Sequence, residues 1–332
     1  MLRALGKWAL ARAESSPPWT NVYGLARTLL AASSALTLMF NDSSTLFRPI
    51  AGTAARPPFC TNVADKAALY CLLPKHLELA RLIAVVLLLV VASGYRPRFT
   101  GLVHWWLALS YQLTASTLEG GDQAAAVLTL LLVPITLTDP RRWHWQARPE
   151  RSERSGWHGS ARAFASLVAL SAALAIRLQV SGIYFHAAVA KLLVTEWQDG
   201  TAMYYWLSHP VFGAPTALRA VLMPLMRHAT ILAAMTWGPI LVEVFLFMGL
   251  VASRPVRRVL LPLGIALHLG ILLFMGLSSF SITMFAALIL YLRPFDEPFV
   301  LRTARLRALL DRGLQRLALR KVARVAGVVT EP

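Results

Sequence analysis

The residues best placed for chemistry are gathered in one stretch, Tyr184-Phe185-His186-Ala187-Ala188-Val189-Ala190-Lys191-Leu192, followed by Glu196, Trp197, Asp199, Gly200 and Tyr204. The stretch begins inside an apolar run and leaves it at a lysine. An ionisable side chain near membrane depth is costly, which makes Lys191 a candidate functional group. Among aromatic neighbours its amine would be desolvated and so able to act as a general base. The competing reading is an interfacial lysine whose stem lies along apolar surface while the ammonium reaches the headgroups. His186 precedes Lys191 by five residues, about 140° around an ideal helix, so it relays protons to Lys191 only if the helix breaks between them. Glu196 and Asp199 can pair with Lys191 or orient a substrate amine, and Trp197 with Tyr204 can wall an apolar pocket.

The elements that must hold these groups follow from composition. Of 332 residues, 57% are hydrophobic and 15% charged, with mean hydropathy +0.56. That balance excludes a disordered chain, a small disulfide-framework domain and an ordinary cytosolic enzyme. It predicts an all-α polytopic transmembrane bundle. Eight apolar segments stand out, at 22–40, 78–94, 102–118, 123–137, 163–190, 229–252, 259–277 and 279–292. The fourth and eighth are shorter than the roughly 17 residues a crossing needs, so they must extend, lie in a thinned region or be sheltered by neighbours. The net charge of +17 reflects topology and implies no nucleic acid partner. With the N-terminus inside, 23 of the 33 Lys and Arg fall in cytoplasmic segments and 7 in translocated ones, leaving Arg27, Arg81 and Arg177 within spans. Both termini are therefore expected in the cytoplasm. Three regions result: a basic segment at 1–21, a transmembrane domain at 22–292 and a basic amphipathic tail at 293–332. The stretches 1–13 and 298–325 can lie on the anionic leaflet or remain solvated.

Cys60 and Cys71, the only cysteines, share the first translocated loop, where a disulfide persists; the spacing is not CxxC. Further polar residues sit in or beside the spans: Arg27, His104, Gln112, Arg177, Gln179, Glu243 and His268. Arg27 with Glu243 is one candidate ion pair, and Arg177 needs a carboxylate, carbonyls or a headgroup phosphate. Glu119-Gly120-Gly121-Asp122 reads as a tight acidic turn on the same side as Lys191. His76, His144, His158, His209 and His228 are scattered over loops on both sides, so no metal site is expected.

Two separated motifs resemble a known superfamily. The run from Tyr184-Phe185 to Lys191-Leu192, with Trp197 and Gly200, resembles the segment of vitamin K-dependent gamma-glutamyl carboxylase that carries its proposed catalytic lysine, which falls on Lys191. His268 and Phe280-Ser281-Ile282-Thr283-Met284-Phe285 resemble another membrane segment of that superfamily, the horizontally transferred transmembrane (HTTM) domain. Within it the chain is most similar to the sporulation-delaying protein B branch, through Tyr23-Gly24-Leu25-Ala26-Arg27, Phe40-Asn41-Asp42, the Cys60 to Cys71 loop, Glu119 to Asp122 and Trp197 to Tyr205. The acidic turn stands roughly where the carboxylases carry a catalytic histidine. The resemblance implies a bacterial cell-membrane component that matures and exports a small secreted antimicrobial peptide, acting at the extracytoplasmic face beside membrane lipids and a companion maturation protein. The alternative it implies is an enzyme coupled to a membrane quinone with Lys191 as base. Lys191, His186, Glu119 and Asp122 are then the catalytic candidates; Glu196, Trp197, Asp199, Tyr204 and His268 are the substrate-binding ones. A single cysteine introduced at position 62 of a Cys60→Ser/Cys71→Ser chain should react with an impermeant maleimide from the medium; reaction only after the cells are opened would overturn the orientation.

Overall fold

The computed structural model describes residues 11, 18–52, 56–146 and 157–299, without the side chains of 157–160. The terminal segments 1–21 and 293–332 and the side chain of His158 lie almost wholly outside those residues. Among the described residues the regular structure is helical, with one isolated antiparallel bridge between Tyr95 and Trp143. The long helices are α1 (Asn21–Phe40), α5 (Leu77–Ser93), α6 (Pro97–Thr114), α7 (Gly120–Thr138), α8 (Trp157–Leu192), α12 (Ala229–Met248), α13 (Arg254–Met275) and α14 (Ser278–Leu292). Short helices join them: α2 (Ser43–Leu46), α3 (Val63–Lys66) and α4 (Leu69–Leu72) after α1, then α9 (Thr195–Gln198), α10 (Ala202–Ser208) and α11 (Thr216–Met226) after α8.

These eight long helices follow the expected segments in order, but five, α1, α7, α8, α12 and α13, are long and apolar enough to cross a bilayer by length and composition. The short fourth segment lengthens because the acidic turn is not a turn. Glu119 is the N-cap of α7, its side chain receiving the third helical N–H while Asp122 accepts the Glu119 N–H at 3.0 Å, a reciprocal capping box that starts the helix three residues early. The short eighth segment is sheltered. α14 packs on α1, α7, α8 and α13, and its residues Ser281, Thr283, Met284 and Ala286 to Leu292 are buried. Helices in lipid gain little from hydrophobic transfer to one another, so close packing and interhelical hydrogen bonds must hold such a centre. The Ser33 hydroxyl supplies two, donating to the Ser279 carbonyl at 2.7 Å and sharing a proton with Thr283 at 2.8 Å.

At one end of the bundle, α2 to α4 and the Cys60–Cys71 disulfide fold over α5 and α6. Leu46, Phe47, Leu69 and Tyr70 pack there against Leu38, Leu88, Leu107 and Tyr111. The opposite end is closed by a buried polar network. Asp139 accepts from the Tyr23 hydroxyl and, at 2.9 and 2.8 Å, from the Arg141 guanidinium, whose remaining nitrogen donates to the carbonyls of His144 and Gln146 at 2.9 Å. Arg27, fully buried, donates to Thr100 at 2.6 Å and lies 3.5 Å from His144 Nδ1. The expected Arg27 to Glu243 pair therefore does not form. Arg27 is taken up by Thr100 of α6 and the neighbouring His144, and Glu243 faces a different helix. Arg177 takes the carbonyl option, donating to Tyr291 O at 3.0 Å.

His144 is seated by glycine. A Cβ on Gly94, whose φ is +88°, would lie 2.3 Å from the imidazole. Burial, with the nearby Arg27 and Arg141 charges, lowers the His144 pKa to about 3. Between roughly pH 6.5 and 3 the unfolded chain thus binds a proton the folded one refuses, so stability falls as pH drops through that window. The thermal midpoint in lipid nanodiscs should decline from pH 7 to pH 4, and His144→Asn should flatten part of that slope; an identical slope in the variant would refute the assignment.

Candidate functional site

Lys191 is the last basic residue of α8, yet its ammonium turns into the bundle. Nζ donates to both Glu243 oxygens, at 2.7 and 2.8 Å, and lies 3.4 Å from Ala187 O. Glu243 stands fourteen residues beyond the start of α12 and five before its end, roughly 21 and 7 Å along that helix, so the contact lies away from the end of α12 that follows the α9–α11 segment. The side chains are 23% and 10% exposed. Snorkelling to the headgroups is thereby excluded for this geometry. A charge kept in apolar surroundings needs a partner, and Glu243 supplies it.

The chain after α8 builds the rest of the site by running back along α12. Trp197 of α9 packs with Ala188 and Ile240, and its ring lies 5.4 Å from Lys191 Nζ, a cation–π contact. Gly200, at φ +83°, turns the chain where a Cβ would press on Ala233 at 3.3 Å. The Met203 amide then donates to Thr236 Oγ1 at 3.3 Å, fixing α10 on α12. Lys191, Glu243, Trp197, Met203 and Trp206 line a cavity of about 400 Å³, closed on its far side by α13 and Phe280 of α14. Its walls are apolar except for the ion pair, the ordinary chemistry of a small-molecule or side-chain pocket.

The expected site residues divide. Lys191 and Trp197 meet at the cavity. Tyr204 is exposed and stacks edge-on against Tyr205; Met203 and Trp206, three residues apart and hence on one face of α10, take the wall position expected of it. His186 is exposed on the uninterrupted α8 and does not reach Lys191. Glu196 and Asp199 are exposed too, Asp199 accepting from Thr201 at 2.6 and 3.0 Å, so neither provides the carboxylate for Lys191. His268 is 3% exposed behind the cavity wall, its Nε2 3.0 Å from the Tyr184 hydroxyl and its ring against Phe280. Glu119 and Asp122 line a second cavity of about 430 Å³, with Asn41, Tyr111, Thr117 and Ser279. Sequence reasoning flagged Glu243 as a polar group in a span but gave it the wrong partner; the useful signal was that Lys191 and Glu243 stand on helices adjacent in the chain's hairpin order.

Two curated proteins are similar to the chain in sequence. The Bacillus subtilis (strain 168) protein described as Sporulation-delaying protein SdpB is 36% identical over 284 residues, 84% of this chain and 83% of that protein. The chain belongs to the SdpB family. A second protein of that organism, described as Uncharacterized protein YitO, is 40% identical over 294 residues, 88% of this chain and 91% of its own length. No family model and no solved structure matches the chain. For the site of this SdpB-family chain, Lys191→Met and Glu243→Leu should each destabilise, by up to about 3–5 kcal/mol less whatever water relieves, because each strands a charge; the double variant should recover most of that loss. Thermal unfolding of the three variants checks it, and additive losses would show that the pair is not coupled.

Proposed function

We propose that the chain is a multi-pass component of the bacterial cytoplasmic membrane that takes part in maturing and exporting a small secreted antimicrobial peptide, at the extracytoplasmic face. The observation that carries the reading is its 36% identity, over 84% of the chain, with the protein named for delaying sporulation. Five helices of membrane-crossing length support the placement, and the asymmetry of Lys and Arg supports eight passes with both termini inside. On that orientation both cavities and the disulfide loop face outward. The partners are the peptide or its precursor, membrane lipids and a companion maturation protein. Lys191 and Glu243 anchor polar groups of the peptide while Trp197, Met203 and Trp206 hold its apolar ones.

A second reading has specific support in the pair itself. A lysine 2.7 Å from a carboxylate can exchange its proton with that partner, and the surrounding walls are apolar, as a quinone-coupled enzyme of the HTTM and carboxylase kind would need. In that case Lys191 takes the proton, and the Lys191→Met/Glu243→Leu double variant, which keeps most of the stability, abolishes maturation; wild-type maturation by that variant removes the enzymatic reading. For the leading proposal, deleting the gene should leave the precursor peptide unprocessed and empty the medium of the mature form, as read by mass spectrometry. Normal secretion of mature, disulfide-bonded peptide from the deletion strain would overturn it.

A further inference from the structure

The two cavities share a wall. Leu277 and Phe280, at the start of α14, line both the chamber of Lys191 and Glu243 and the chamber of Glu119 and Asp122. Phe280 fits there because α7 begins with two glycines. A Cβ on Gly121 would stand 2.8 Å from Phe280 Cα, and one on Gly120 would lie 3.6 Å from its ring. One aromatic side chain thus separates two spaces that are each of ligand size.

Their chemistry differs. The first chamber is apolar and internally neutral, since its one cation and one anion pair with each other. The second holds two carboxylates. Ser279 donates to Glu119 and the Glu119 amide donates to Asp122, but among the described residues neither carboxylate has a cationic partner. A further polar atom waits behind the shared wall: His268 Nδ1 is buried with no hydrogen-bond partner, in a ring that packs on Phe280 at 5.5 Å. A buried polar atom left unmatched is unfavourable, so this one has a bond to offer.

We propose that the chambers form one bipartite site for an extended peptide segment, seating a large apolar side chain beside Trp197 and Trp206 and a basic side chain beside Glu119 and Asp122, with Phe280 as the partition. In an extended chain, side chains two residues apart lie on one face about 7 Å from each other, a spacing that straddles a single aromatic ring. Displacement of that ring is what exposes His268 Nδ1 to the peptide backbone. This inference rests on the proposed role in handling a secreted peptide and adds the kind of residue pair recognised.

The test uses the full chain in nanodiscs and needs no knowledge of the natural peptide. The probe is acetyl-photoleucine-Ala-Lys-amide, compared with the same peptide carrying norleucine in place of lysine. Photolysis and mass spectrometry should place the crosslinks on chamber residues such as Met203, Met235 and Phe274, with the lysine peptide favoured about ten-fold or more, the worth of a charge-assisted hydrogen bond. Glu119→Gln, which keeps an acceptor for Ser279, should erase that preference, and Phe280→Ala should raise crosslinking of both probes. Equal labelling by the two probes on the wild-type chain, or a lysine preference untouched by Glu119→Gln, would overturn the bipartite site. Because the readout is binding, loss of lysine selectivity refutes this inference alone, whereas normal secretion from the deletion strain refutes the broader role.

Discussion

A cation inside an oily bundle must be met by an anion, and the meeting of Lys191 with Glu243 is the constraint on which this half of the bundle depends. The 2.7 Å contact ties the end of α8 to a point deep on α12. Once the end of α8 is held there, the following chain has to climb back along α12, which it does through Trp197 on Ile240, Gly200 beside Ala233 and Met203 on Thr236. The cavity is the space left between that returning segment and α13. Its polarity is confined to the pair that created it.

The two ends of the bundle use polar groups in opposite ways. Around Asp139 nearly every donor and acceptor is matched, from Tyr23, Arg141 and Arg98 to the His144 ring wedged between Gly24 and Gly94. Arg27 Nε is the buried exception, left without a partner among the described residues. At the other end Glu119 and Asp122 do part of their bonding to cap α7 and still face a cavity. One end of the bundle is therefore packed around a polar network, while the other leaves polar groups facing open space. α14 joins the two, its N-terminal Phe280 partitioning the cavities and its C-terminal Tyr291 holding Arg177 and the last turn of α12 through the carbonyls of Leu246 and Phe247.

Much of this was readable beforehand. Apolar segments at 22–40, 163–190 and 229–252 return as α1, α8 and α12, because apolar runs of about twenty residues or more, each with a single charge, are too long for strands and fit buried or lipid-facing helices. The Cys60–Cys71 bond was readable from compartment and count. Lys191 and Trp197 stand out in the sequence because charge and aromatic bulk at the end of an apolar run are rare, and the fold places both on one cavity wall. Tyr204, expected at a pocket wall, is exposed, since composition does not reveal which face of a seven-residue helix turns inward; Met203 and Trp206 hold that face. The acidic turn was misread because a capping box and a loop draw on the same residue types, and only the backbone distinguishes them.

The sequence by itself determined that the chain is helical, apolar, asymmetrically basic and bears several ionisable groups in or beside its apolar runs, since hydropathy and charge are local properties summed along the chain. Tertiary structure alone decided which charge answers which: Glu243 for Lys191 rather than for Arg27, Asp139 for Arg141, a carbonyl for Arg177. Pairing in a low-dielectric interior is settled by distances of a few ångströms between helices far apart in sequence. The positions of the cavities follow from the same packing, because empty space belongs to no residue and is defined only when several helices have come together.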